Sequence, residues 1–173
     1  MSYFVGIGIG LGVNRKGIAE FYTDLRGSKN WLKGAEGEAL TDEALQALSD
    51  DYVVFHDFHP LGTDGQPVDW NVDHIVIGPS GVFILESKNY AATRIRPADS
   101  DPTTRKNLKQ VQGTSVGFKR SLVAWSGGSL ANLFVMPILV YTQPGVYVEK
   151  TRERFARVVP TRLLVKEIES SRD

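Results

Sequence analysis

The sequence predicts an α/β fold, a central mixed β-sheet flanked by helices. Three observations lead there. Apolar residues recur at helical spacing in two separate segments, 33–48 and 104–125. Runs rich in β-branched and aromatic residues, of strand length, occupy 52–58, 68–77, 82–89 and 133–141. The order helix, three strands, helix, strand calls for both a tight hairpin and a crossover, so antiparallel and parallel neighbours must coexist in one sheet.

Each element has its own warrant. In KGAEGEALTDEALQAL, 33–48, Leu40, Ala44, Leu45, Ala47 and Leu48 form one apolar arc. At ~100° per residue, Glu38 falls beside Leu45 and Glu36 beside Leu40 and Ala47. Spacing alone does not choose between these two acids. YVVFHDF, 52–58, is a strand, and LGTDGQP, 61–67, is a turn-rich loop. Residues 68–77 and 82–89 form a hairpin around Gly78-Pro-Ser-Gly81. Residues 90–103 are polar and irregular. In 104–125, Leu108, Val111, Ser115, Phe118 and Leu122 make one stripe, and Ser126-Gly-Gly-Ser129 breaks the helix. LFVMPILVY, 133–141, is nearly all apolar, as a strand buried on both faces should be. Short edge strands are expected at 146–149 and 155–159, with a closing helix over 161–169 capped by Thr161.

Length and composition bound the function. The 173 residues suit one domain with a real core. Lys plus Arg equals Asp plus Glu at 20 each, so the net charge is zero and any affinity for nucleic acid must come from a local patch or from metal ions. With no cysteine there is no disulfide, thiolate metal site or cysteine nucleophile. That composition suits a reducing compartment, and the cytoplasm is the expected location. No apolar run reaches the ~20 residues a membrane span needs. Residues 1–30 read as a glycine-rich extension and 31–173 as the main domain. Within the extension, Tyr3 to Val13 is apolar, but its basic residues, Arg15 and Lys16, follow it rather than precede it as in a secretory signal. Gly6, Gly8, Gly10 and Gly12 lie inside that run, so they lack the strand before and helix after that a dinucleotide cradle needs.

The hairpin DHIVIGPSGVFILESK carries the chemistry. A symmetric turn sets Ile77 opposite Val82, Ile75 opposite Ile84 and, further out, Asp73 opposite Glu86. Opposed residues share a sheet face with Cβ atoms ~4.5–5.5 Å apart, and Lys88, two residues beyond Glu86, shares it too. Opposed carboxylates in a partly buried sheet repel each other, and a divalent cation between them removes the repulsion. Oxygen-only ligands suit Mg²⁺ or Mn²⁺. Such an ion acidifies its bound water and stabilises charge on a phosphate, while an adjacent ammonium supports the transition state. The array is suited to phosphodiester hydrolysis. The competing structural reading makes Asp73 a strand-entry cap and Glu86 with Lys88 a surface ion pair; two facing acids within apolar strands weigh against it.

The run WLKGAEGEAL, then YVVFHDF, then NVDHIVIGPSGVFILESKNY resembles the nuclease-related domain (NERD) family, placed within the PD-(D/E)XK nuclease superfamily. The resemblance spans roughly Trp31 to Tyr141 and implies a restriction-endonuclease-like core with its active site at one end of the hairpin. Matched by position, the acid of the family's first-helix G-x-x-G-E falls on Glu38, the metal-binding aspartate on Asp73, the E-x-K on Glu86 and Lys88, and a helix glutamine on Gln110. The apolar stripe places Gln112 nearer the core than Gln110. The implied metal ligands are Asp73 and Glu86, with Glu38 nearby. The family often has a glycine after K-N-[YW], where this chain has Ala91-Ala92-Thr93, and the glycine-rich N-terminus has no counterpart in it.

Other candidates rank lower. His74 points away from Asp73 and is expected to pack. His56 and His59 flank Asp57 without ligand spacing, and Asp57 and Asp69 are strand-end or loop acids. Arg94, Arg96, Arg105, Lys106 and Lys109 form a candidate phosphate-binding strip. Trp31, Trp70 and Trp125 are expected at the core or its rim. The expected function is a divalent-metal-dependent nuclease acting on nucleic acid, DNA in particular, with a homodimer as one assembly to test. The alternatives are a non-catalytic nucleic-acid-binding or recruitment module and a membrane-associated protein using Tyr3 to Val13.

Overall fold

The computed structural model describes residues 29–61, 65–66, 68–150 and 155–171. The glycine-rich run Tyr3 to Val13 lies outside them. Helix α1 spans Lys29–Leu45. It starts before the expected Lys33 and stops before the expected Leu48. The stop is a tightened last turn: the N–H groups of Gln46, Ala47 and Leu48 bond to the carbonyls of Glu43, Ala44 and Leu45. That turn brings Leu48 into the core beside Leu45 and leaves Ala47 exposed.

Three antiparallel strands follow, β1 (Val53–Phe58), β2 (Val72–Gly78) and β3 (Gly81–Lys88). The β2–β3 register sets Ile77 against Val82 and Ile75 against Ile84, as the hairpin arithmetic predicts. Gly78 is required at the turn because a Cβ there would lie 2.1 Å from the Tyr52 ring. The Tyr52 hydroxyl in turn meets the Ser80 hydroxyl at 2.9 Å, closing the ring over the turn.

The chain then makes a two-residue strand, β4 (Arg94–Ile95), and enters helix α2 (Pro102–Trp125). Asp101 caps α2: its carboxylate accepts from Thr103 N–H at 2.9 Å and from the Thr104 hydroxyl at 2.8 Å, with proline at the first helical position. Strand β5 (Val135–Tyr141) returns parallel to β3, and β7 (Arg157–Pro160) pairs parallel to β5. The five-stranded order is β1-β2-β3-β5-β7, a mixed sheet as predicted.

Two expectations are corrected. The first short strand after β5, β6 (Tyr147–Val148), is not an edge of this sheet; it pairs with β4 in a separate two-stranded ribbon. Burial of Ile95 and Val146 in one cluster draws the two segments together. Nor does Thr161 cap the closing helix. A 3₁₀ turn (Thr161–Leu163) precedes α3 (Leu164–Glu169), and the Thr161 hydroxyl donates instead to the Tyr141 carbonyl at 3.2 Å. Parallel pairing of Pro160 with Tyr141 sets that hydroxyl beside the strand.

The core has two halves. On one face Ile75, Val82, Ile84 and Leu139 pack against Leu108, Val111 and Phe118 of α2. On the other, Val76, Phe83, Leu85, Ile138 and Val140 pack against Leu45 and Leu48 and against Leu164 and Ile168 of α3. Successive β3 residues alternate between the halves, which is why 82–85 is uninterrupted apolar sequence. Among the described residues no helix is long and apolar enough to cross a membrane.

Candidate active site

The ladder between β2 and β3 runs to His74–Leu85. One step further out, beyond the last pair of the ladder, stand Asp73 and Glu86, close enough for their charges to interact. The next backbone N–H on β3, that of Ser87, donates to Asp73 Oδ2 at 2.8 Å, so the carboxylate finishes the ladder. Glu86 is buried and faces the α2 side, following Val82 and Ile84. Its Oε1 accepts from Lys88 Nζ at 2.6 Å and from Gln110 Nε2 at 2.7 Å. Gln110 therefore reaches the acid although it sits off the apolar stripe; its long side chain spans the gap that helical spacing leaves.

Glu38 enters from the opposite layer, half-buried on α1. Burial, with the charges of Asp57 and Glu86 adding and Lys88 opposing, pushes its carboxyl up to about 7. Asp73 is pushed up to about 8, by burial first and then by Glu86 and Glu38, against the pull of the Ser87 N–H and Lys88. Burial draws the Lys88 ammonium down, but Glu86, through charge and hydrogen bond, outweighs it with help from Tyr90 and Asp73, and the net shift is upward. The three carboxylates and the lysine thus sense one another at one end of the sheet. Glu36 takes no part: it is exposed and accepts from Asn89 Nδ2 at 3.1 Å.

Several contributors escape sequence reasoning. Thr41, fully buried one turn after Glu38, meets the Ser87 hydroxyl at 2.8 Å and donates to the Gly37 carbonyl at 3.1 Å. This pins α1 to the middle residue of the E-x-K. Gly37 permits the approach, since a Cβ there would lie 2.9 Å from Asn89 Cβ and 3.2 Å from Thr142 Oγ1. Asp57 adopts φ +46°, a left-handed conformation that aspartate and asparagine tolerate better than most non-glycine residues, and its carboxylate accepts from Asn71 Nδ2 at 2.7 Å. Tyr90 donates to Asn107, which donates to Tyr141, beside Lys88. A period-2 or period-3.6 pattern carries no signal for these side-chain links.

The remaining candidates fall elsewhere. His74 is buried, and burial together with His56 pushes its imidazole down to about 3. His56 lies edge-on to it at 5.1 Å and 3.4 Å from Asp42 Oδ1, while His59 lies 3.4 Å from Asp57 Oδ1. Two arginines of the expected strip serve structure: Arg94 pairs with Glu149 at 2.6 Å, and Arg105 donates to the carbonyls of Ala98 and Asp99. Trp70 packs against the α2 half of the core, but Trp125, expected at the core or rim, is 85% exposed at the last residue of α2.

Among the described residues no group of three or more His, Asp or Glu side chains forms a ready-made metal centre. The donor set still fits a hard cation. Mg²⁺ keeps most of its water and takes one or two carboxylates, and Asp73 with Glu86 offers two whose charges oppose each other.

A mixed sheet between helices, with acids and a lysine gathered at one sheet end, defines an α/β protein with a nuclease-like core. The family model for the nuclease-related domain matches residues 33–142, most of the chain, and the protein belongs to that family. No curated protein and no solved structure matches the chain.

Proposed function

We propose that the protein is a divalent-metal-dependent nuclease that hydrolyses phosphodiester bonds, with DNA as its substrate. The observation that carries this reading is the convergence of Asp73, Glu86 and Lys88 at one sheet end, inside the nuclease-related domain. Asp73 and Glu86 would hold the cation, with Glu38 as the third acid nearby. A bound Mg²⁺ or Mn²⁺ supplies a water of lowered pKa and Lewis acidity at the phosphate. The protein's own groups do the rest. The Ser87 N–H orients Asp73, leaving its other oxygen for a ligand. Gln110 and Lys88 fix Glu86 at a single oxygen, Oε1. The Lys88 ammonium, kept protonated by Glu86, places positive charge where the attacked phosphate gains negative charge.

Labelled single- and double-stranded DNA and RNA, incubated with Mg²⁺ or Mn²⁺, test the reading. Cleavage is expected with the wild type, abolished by chelator and by each of Asp73→Ala, Glu86→Ala and Lys88→Ala, with the variants still folded by circular dichroism. Cleavage that persists in all three variants would remove the assignment. The competing reading is a non-catalytic nucleic-acid-binding module. Salt-sensitive binding without metal-dependent cleavage is its signature.

A further inference from the structure

Helix α2 carries Arg105, Lys106, Lys109, Lys119 and Arg120 and no acid, in a chain of zero net charge. That segregation concentrates positive potential on one element. At ~100° per residue, Lys106, Lys109, Gly113, Val116 and Arg120 fall on one arc, opposite the stripe of Leu108, Val111, Ser115 and Phe118 that packs on the sheet. All five residues of the arc are exposed. Gly113 keeps its middle smooth: the space a Cβ would enter has no atom within 4 Å. Beyond it a shallow depression is lined by Val116, Lys119, Arg120, Val123 and Ala124, apolar between two cations. At the other end Gln110, next to Lys109, donates to Glu86. From Lys106 to Arg120 the helix rises ~21 Å at ~1.5 Å per residue.

We propose that this outer face of α2 is a track for the sugar–phosphate backbone of a nucleic acid, running from the carboxylate end of the sheet toward Arg120. Where the strand leads rests on the nuclease reading above; that it binds does not. The short apolar stretch at Val116 and Val123 lies where sugars would pass, and cations spaced along the arc match successive phosphates. They match a lipid surface poorly, because a membrane-lying helix buries a broad apolar face in the interface, and the apolar face of α2 is committed to the sheet.

The test is binding of a fluorescein-labelled oligonucleotide, single-stranded and duplex, to the full chain in chelator across about 50–200 mM salt. Lys109→Gln and Arg120→Gln should each lower the slope of log K against log salt by about one, and the double variant by about two. The double variant should also bind severalfold more weakly at low salt. Lys166→Gln, the same charge change at an exposed position of α3, should leave slope and affinity as in the wild type. The track is overturned if the double variant binds like the wild type, if Lys166→Gln loses as much as Lys109→Gln, or if the wild type binds phosphatidylserine vesicles but no oligonucleotide. The two readings fail separately. Binding lost only in the α2 variants, with no cleavage by the wild type, keeps the track and removes the nuclease; cleavage dependent on Glu86, with α2 variants binding normally, does the reverse.

Discussion

Asp73 and Glu38 carry carboxyls pushed up to about 8 and about 7, chiefly by burial and then by neighbouring acids. Between the ordinary carboxylate range and those values the folded state holds more protons than the unfolded chain. Stability from these groups is therefore complete at low pH and is lost as pH rises through 7 and 8. His74 runs the other way: its depressed value, about 3, contributes stability above its ordinary 6.5 and loses it on acidification, so it adds no slope above neutrality. Metal-free protein should accordingly unfold at a lower temperature at pH 8.5 than at pH 6.5. Mg²⁺ or Mn²⁺ should raise that temperature more at pH 8.5, and Asp73→Asn should flatten the slope. A flat or rising profile in the metal-free protein would contradict the electrostatic account. The hairpin register leading to Asp73 and Glu86 was legible in the sequence because a four-residue turn fixes it by counting. Gln110 came only from the family resemblance, since its amide reaches Glu86 through side-chain length rather than helical phase. Asp57 was read only as a strand-end or loop acid: its left-handed backbone angle leaves no trace in composition.

At the scale of elements, the site depends on how α1 is held against β3. Glu38 is carried by a helix and Glu86 by a strand, and the Thr41–Ser87 hydroxyl pair ties the two together one turn away. Thr41→Val keeps the shape and deletes the hydroxyl, so the half-buried Ser87 hydroxyl loses this partner while the Gly37 carbonyl keeps its place in the helix ladder. It should cost about 0.5–1.5 kcal/mol in urea unfolding, while Thr41→Ser should cost less. Equal stability of the valine variant and the wild type would show that the pair does not hold the layers. The interiors of these elements were readable from apolar spacing, and the stripe from Leu108 to Phe118 is buried as expected. Their ends were less so. α1 stops early through backbone bonds of the 46–48 turn, and the final helix begins late because Thr161 serves Tyr141. Both outcomes depend on which neighbour competes for a polar group, and that is decided only once the chain is folded.

At the scale of the whole molecule, the mixed sheet follows from element order alone. The small β4–β6 ribbon does not, because two residues per strand are too few to leave a pattern. The segment matched to the nuclease-related domain closes at residue 142, yet β7 zips onto the flank of β5, and Val159, Leu164 and Ile168 complete the α1 half of the interior. A fragment cut after Thr142 would thus keep every acid and the lysine of the site while baring one rim of amides and carbonyls along β5 and an oily underside. Such a rim templates strand addition between chains. Size-exclusion chromatography should find that fragment in aggregates and the full chain as a discrete species. A well-behaved fragment would mean that the boundary of resemblance and the boundary of folding coincide after all.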